Sequence, residues 1–289
     1  MTPPKFGLLS YPPNANLGDA IQSLAARQFL PRVDAHIARE DISAAPAIDG
    51  NVRLICNGWF MHQPDRWPPN PAIEPLLVSM HFAETDFERF QRFRPRPLER
   101  LLVGSGADYL RQWGPVGARD EFSAEQLEGH GIPAYLSGCL TLTLQRPAHI
   151  PHGDYIVACD LPVAQLEHLY RITDRPTVVV IHKNPGYDTP RRQEDAAQQL
   201  LNLYAEAAAV ITTRIHAALP CLAFGTPVLL IEQAYGRRVS DVAKLLHSCQ
   251  GADFLFDRYD FDLTNPFANP EDFRPLAAAL EAKCRAFVS

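Results

Sequence analysis

The stretch Ala209 to Ile231, AVITTRIHAALPCLAFGTPVLLI, decides the fold class. A β-branched apolar run, AVITT, reads as a buried strand. The period then changes to that of a helix, and Gly225-Thr226-Pro227 turns the chain into a second apolar strand. A strand, a crossover helix and a strand of the same character form a parallel βαβ unit. Arg214 and His216 then fall at the carboxyl end of the first strand and the opening turn of the helix, the usual ligand crevice of an open α/β sheet. Unpaired backbone N–H groups and the positive helix end favour an anion there, and the Arg214 guanidinium adds a two-pronged partner for phosphate or carboxylate. The plainer alternative pairs Arg214 with a buried carboxylate and uses His216 to cap the helix. Pro220 is expected to kink that helix and remove one of its bonds.

The same alternation runs outward in both directions. Strands are predicted at Phe6 to Ser10, Val52 to Asn57, Leu76 to Met80, Leu101 to Gly104 and Val116 to Arg119. A second series covers Tyr155 to Cys159, Thr177 to His182, Val210 to Thr213, Val228 to Ile231 and Ala252 to Phe256. Helical periods fall at Asp19 to Leu30, Asp120 to His130, Val163 to Tyr170, Arg191 to Ala208, Arg214 to Phe224, Arg237 to His247 and Glu271 to Phe287. Two series of this kind imply an α/β protein of two Rossmann-like domains. The irregular stretch Gln145 to Gly153 places their boundary near residue 150. The expected division is 1–149, 150–270 and a final helical segment, 271–289. A second irregular stretch, Asn57 to Pro75, is dense in Pro, Trp and His. It reads either as a substrate-facing loop, in which Trp59, Trp67 and His62 stack on a sugar ring, or as a stiffened surface loop.

Composition bounds the function. The 289 residues carry 27 Lys+Arg against 33 Asp+Glu, a net charge of −6, with 46% hydrophobic and 21% charged residues. That supports a folded core and argues against disorder. A sequence pI near 5.9 gives no global field for nucleic acid or an anionic membrane, so contact with a membrane is peripheral at most. The N-terminus lacks the apolar core of a signal peptide, and no run approaches the ~18 apolar residues of a membrane span. The six cysteines are scattered without a C-x-x-C pair and read as reduced core residues of a cytoplasmic protein.

Other segments repeat the strand-end logic. His182, Lys183 and Asn184 follow the apolar run TVVVI, where they could bind phosphate or donate a proton, or simply form a solvated turn. Asn16, Gly18 and Asp19 follow the first strand; Asp19 suits an N-cap, yet Asn, Gly and Asp at such a loop also bind sugar hydroxyls or supply a base. Arg119 and Asp120 read as an ion pair at a helix start. Arg237 and Arg238 fall at another helix N-terminus and suit a phosphorylated donor. Gly104-Ser105-Gly106 is not a dinucleotide fingerprint, because Tyr109 stands where a third glycine is needed, and NAD binding is set aside.

Taken together, NANLGDAIQ from Asn14, VGARDEFSAEQLEGHGI from Val116, SGCLTLTL from Ser137, the Val210 to Ile231 segment and RRVSDV from Arg237 resemble the polysaccharide pyruvyl transferase family. The resemblance implies a GT-B-like fold whose two Rossmann-like domains face a cleft, with acceptor on the N-terminal side, phosphoenolpyruvate on the C-terminal side and the last helix packing across the junction. It also implies formation of a pyruvate ketal on a sugar of a polysaccharide or a lipid-linked glycan precursor, with release of phosphate. On this reading His216 is the general acid and Asp19 a base. Arg214, Lys183, His182, Asn184, Arg237 and Arg238 hold the donor, and Asn16, Gly18, Trp59 and His62 meet the acceptor. Neither metal nor cofactor is expected beyond phosphoenolpyruvate as co-substrate. The rivals are a glycosyltransferase of the same fold using a nucleotide sugar, with Glu232 as its ribose carboxylate, and a non-catalytic carbohydrate-binding protein. Oligomeric state is left open.

Overall fold

A computed structural model describes residues 3–12, 16–82, 97–183, 186–233, 241 and 243–289. The chain divides into two compact units. Unit 1 comprises 1–13, 22–140 and 278–289, and unit 2 comprises 14–21 and 141–277.

Unit 1 is built on a six-stranded parallel sheet. Its strands are β1 (Lys5–Ser10), β2 (Ala35–Ala38), β3 (Val52–Phe60), β4 (Ile73–Phe82), β5 (Val116–Ala118) and β6 (Ala134–Leu136), in the spatial order β2-β1-β3-β4-β5-β6. Among the described residues its helices include α2 (Pro97–Leu101), α3 (Gly104–Trp113) and α4 (Glu121–Gly129). Strand interiors are nearly continuous apolar runs, as sheets covered on both faces require: Val52, Leu54, Ile55 and Cys56 on β3, and Leu77, Val78 and Met80 on β4, are all buried.

Unit 2 repeats the plan with five parallel strands: β7 (Ile156–Cys159), β8 (Thr177–Val180), β9 (Ala209–Thr212), β10 (Val228–Glu232) and β11 (His247–Gln250), ordered β11-β10-β9-β7-β8. Its helices among the described residues include α5 (Val163–Ile172), α6 (Pro190–Glu206), α7 (Ile215–Phe224) and α8 (Gly251–Leu255). Ile156, Ala158, Leu169, Ala209, Ile211, Leu229, Ile231 and Phe254 form one buried cluster around the central strands. Helix α7 ends at Gly225, whose φ of 74° lets its N–H turn back to Cys221 and Leu222. Pro220 lies inside α7, which continues through it, so the helical donor to the His216 carbonyl is missing.

Two helices connect the units in sequence. Helix α1 (Leu17–Arg27) contributes residues up to Ile21 to unit 2 and the remainder to unit 1. Helix α9 (Arg274–Val288) passes from unit 2 to unit 1 after Ala277, and its Phe287 carbonyl accepts from Arg53 at 3.0 Å. The α/β class with two Rossmann-like parallel sheets predicted from the sequence is therefore observed. The division falls at 140/141 instead of near 150, because Thr141, Leu142 and Thr143 are already buried in unit 2. The last helix is shared between the units and does not form a separate segment.

Individual elements also differ from expectation. Leu101 to Gly104 is not a strand: Leu101 ends α2 and Gly104 opens α3, and the buried Leu101 and Leu102 belong to a helix end and the bend after it, an apolar run too short for its period to tell from a strand. Ala252 to Phe256 lies mostly in α8, whereas the strand is His247–Gln250, of which the sequence reading covers only His247, as the end of a helix. Strands β2, β6 and β11 were missed, and all three lie at sheet edges, where one hydrogen-bonded neighbour and a solvated side remove the apolar signal. The stretch 57–75 is not one loop, since β3 runs to Phe60 and β4 starts at Ile73. Trp59 is thus a strand residue, and Trp67 packs edge-on against Phe60 and Tyr109 at 5.6 Å each. All six cysteines are buried, and none forms a disulfide. No helix among the described residues is long and apolar enough to cross a membrane.

Ile211 sits in the middle strand of unit 2 and is fully buried. Ile211→Ala is expected to lower stability by about 2–5 kcal/mol through the cavity it leaves, read as an earlier urea midpoint.

Candidate functional site

In unit 2 the strand order 8-7-9-10-11 reverses direction between β7 and β9. The connection leaving β7 passes to β8 on one side, and the one leaving β9 passes to β10 on the other, and the carboxyl ends at such a reversal are where open α/β sheets bind ligands. Asp160 follows β7, and Thr213 and Arg214 follow β9. The Arg214 Nε donates to Asp160 Oδ2 at 2.6 Å, with 37% of the arginine side chain exposed and 12% of the aspartate. This is the carboxylate partner that the plainer sequence reading foresaw, yet over a third of the guanidinium side chain still reaches solvent. Arg214 is also the N-cap residue of α7, its own N–H donating to Thr212 Oγ1 at 2.9 Å, which leaves His216 in the first turn.

The start of α1 belongs to the same unit. The Leu17 amide donates to the His182 carbonyl at 2.9 Å, and Asn16 forms a backbone bridge with Lys183. The Asn16 side chain accepts the Gly18 N–H at 2.8 Å, so Asn16 takes the capping role that the sequence reading gave to Asp19, which lies inside the first turn. A Cβ on Gly18 would stand 3.1 Å from His216 Nδ1 and 3.2 Å from its Cβ. Glycine is what allows the histidine to lie against this turn. Asn16, Gly18, Asp19, Lys183, Arg214 and His216 are thus contributed to one unit by segments up to 200 residues apart.

His182 departs from expectation. Its side chain is 1% exposed, its ring Nε2 lies 2.8 Å from the Tyr204 hydroxyl, and its N–H donates to Asp160 Oδ2 at 3.2 Å. Burial lowers its pKa to about 4, against the attraction of Asp160 and with further lowering by Arg214, so the ring is neutral at pH 7. It supports the site from behind instead of contacting a donor. Cys159 Sγ, an Asp160 oxygen and a His182 nitrogen lie within 4.8 Å of one another. A cation there would compete with the Arg214 guanidinium for Asp160, and burial pushes the Cys159 thiol up to about 12, away from the thiolate that binds metal.

Asn184, Arg237 and Arg238 lie outside the described residues. Trp59 and His62 belong to unit 1, their rings 4.4 Å apart, with the Arg39 guanidinium 5.1 Å from the Trp59 ring. Unit 1 also holds a buried ionic cluster. His81 Nδ1 lies 2.6 Å from Asp120 Oδ2, Asp120 Oδ1 accepts the Ser123 N–H and caps α4, and Arg119 Nε is 3.5 Å from Asp120. Burial alone would raise the Asp120 pKa, but His81, Arg119 and Ser123 together hold it well below the carboxylate range. The sequence identified Arg119 and Asp120 but missed His81, whose partner is 39 residues away. It also missed Asp160 and Tyr204. Asp160 was accessible to the strand-end rule that found Arg214; Tyr204 lies inside a regular helix and gives no such signal.

The family model of polysaccharide pyruvyl transferases matches residues 93–235. Within that span lie Arg119, Asp120, Asp160, His182, Lys183, Arg214 and His216. No curated protein matches the chain. Among solved structures, a functionally uncharacterized protein from Klebsiella pneumoniae is similar over 89% of this chain and 90% of its own, at 11% identity and a TM-score of 0.50, a likeness of fold. A UDP-GlcNAc 2-epimerase from Methanocaldococcus jannaschii aligns at 9% identity and 0.43, covering 96% of this chain and 99% of its own. A MnaA structure from S. aureus with UDP aligns at 13% and 0.44, covering 88% and 87%.

The neutral His182 makes stability depend on pH. Between pH 6.5 and about 4 the unfolded chain takes up a proton that folded His182 does not. Stability therefore falls as pH drops through that window, by at most about 3 kcal/mol from this residue. His182→Gln, which keeps an acceptor for Tyr204, should flatten the difference between urea midpoints measured at pH 7 and pH 4.5.

Proposed function

We propose that the protein transfers the enolpyruvyl carbon skeleton of phosphoenolpyruvate to two hydroxyls of a sugar, on a polysaccharide or a lipid-linked glycan precursor in the cytoplasm, forming a pyruvate ketal and releasing phosphate. The observation that carries this reading is the meeting, in unit 2, of the Gly18 turn with the Arg214/His216 pair.

The chemistry assigns one task to each group. A proton from His216 is delivered to the methylene carbon of the donor, leaving cationic character at C2 next to the carboxylate. A sugar hydroxyl adds to C2 and loses its proton to a base, for which Asp19 is the candidate. Phosphate departs with its bonding pair, and the second hydroxyl adds to C2 to close the ring, its proton passing to the released phosphate. Arg214, with Lys183, holds the anionic groups and stabilises the charge that builds on the departing phosphate. Asn16 and Gly18 line the first turn of α1 for the acceptor; Trp59 and His62 remain acceptor candidates on sequence grounds. Arg237, Arg238 and Asn184 remain donor candidates on sequence grounds. His182 is withdrawn from that set by its burial. The proposal requires no metal or cofactor.

Thermal unfolding of wild type and Arg214→Ala with phosphoenolpyruvate, inorganic phosphate or UDP tests the reading. A ligand at 100 times its dissociation constant stabilises the fold by about 2.7 kcal/mol. Phosphoenolpyruvate should raise the wild-type melting temperature more than phosphate does, and Arg214→Ala should abolish that gain. A shift with UDP alone would overturn pyruvyl transfer in favour of a nucleotide-sugar glycosyltransferase, and no shift with any of the three would favour a non-catalytic carbohydrate-binding protein.

A further inference from the structure

Asp160 has a backbone conformation that residues other than glycine adopt infrequently. Its φ is 54°, in the left-handed region where a non-glycine residue persists only when the surroundings hold it. Its N–H donates to the Val180 carbonyl at 3.0 Å, and its own carbonyl accepts from Thr213 Oγ1 at 2.9 Å. The carboxylate that results from this pinning accepts from the His182 N–H and from Arg214 Nε. Behind it, the His182 ring is locked by Tyr204, whose hydroxyl also lies 3.4 Å from Cys159 Sγ. The whole arrangement sits in unit 2 at the β7/β9 reversal.

A guanidinium has two edges that can meet an oxyanion side by side: Nε with one terminal nitrogen, or the two terminal nitrogens together. Asp160 occupies Nε. Among the described residues the terminal nitrogens of Arg214 make no hydrogen bond. We propose that Asp160 is a positioning residue for the donor, fixing Arg214 so that its terminal edge, and not its Nε edge, is presented to a carboxylate or phosphate. This rests on the reading that Arg214 binds phosphoenolpyruvate. The role differs from charge balance in a way that can be measured. As a mere negative charge, Asp160 would repel the more highly charged phosphoenolpyruvate more than phosphate, and its removal would increase the preference for phosphoenolpyruvate. As a positioning group it sets the register in which both ends of that donor are held, and its removal decreases the preference.

Asp160→Gly removes the carboxylate while accepting the left-handed φ without strain, and Asp160→Asn keeps an oxygen that can accept from Nε. Binding of phosphoenolpyruvate and of inorganic phosphate would be measured by calorimetry for wild type and both variants, with melting temperatures alongside. In parallel, the Arg214 Nε–H signal would be followed by NMR, identified by its loss in Arg214→Lys. The expected result is a preference for phosphoenolpyruvate over phosphate that falls at least tenfold in Asp160→Gly and less in Asp160→Asn. The Nε–H signal should be protected from exchange in wild type and lost in Asp160→Gly. An unchanged or increased preference in a folded Asp160→Gly overturns the proposal, and if that variant does not fold, Asp160→Asn decides by the same comparison. Should wild type show no preference for phosphoenolpyruvate, the donor reading fails on its own. The Nε–H signal then judges Asp160: protection that survives in Asp160→Gly overturns the positioning role, and protection that is lost supports it.

Discussion

A parallel strand cannot be followed directly by its neighbour, because the chain must return to the starting edge through a crossover. Every connection that leaves a strand therefore leaves from the same edge of the sheet, and in each unit these exits collect the polar residues that the apolar strands cannot hold. In unit 2 this constraint brings Asp160 from β7 and Arg214 from β9 to within 2.6 Å of each other, although 54 residues separate them. The start of α1 joins them through the Leu17 to His182 backbone bond and the Asn16 to Lys183 bridge, both independent of side-chain identity. Side-chain choice then acts within a backbone arrangement already fixed: glycine at 18 so that His216 fits, and threonine at 212 and 213 so that the loop after β9 is tied down.

Burial divides the polar groups around this arrangement into two kinds. Tyr204 and His182 are enclosed, hydrogen-bonded to each other and neutral at pH 7, and act as rigid backing. Arg214 is only partly enclosed and permanently charged, which is the state an anion-binding group needs. In unit 1 the His81 and Asp120 pair shows the alternative outcome for enclosed groups. There a carboxylate without exposure is kept ionised by a short bond to a histidine, by a neighbouring arginine and by its helix-capping N–H.

The sheet strands that were legible in the sequence are those with apolar side chains on both faces. AVIT of β9, VLLIE of β10 and IVAC of β7 could hardly be anything else in an α/β chain. AHIA of β2, AYL of β6 and HSCQ of β11 lie at edges, where one face and one side meet water, and nothing in their composition distinguishes them from a loop. The site was legible to the same extent. Arg214 and His216 stood out because charged groups directly after a buried strand need a use. His182 stood out for that reason too, and its true environment depends on Tyr204, which a helix supplies from 22 residues away.

The sequence by itself determined the two-Rossmann α/β class and the parallel character of the sheets. It also determined the strand ends where chemistry collects, since apolar run length and helical period are local properties of the chain. Tertiary structure decided which of those strand-end residues share an environment: that the first turn of α1 joins unit 2, that Asp160 pairs with Arg214, and that His182 turns inward while Arg214 remains open. These outcomes depend on distances between segments far apart in sequence and on how much water each side chain retains, and neither quantity is a property of any local stretch of residues.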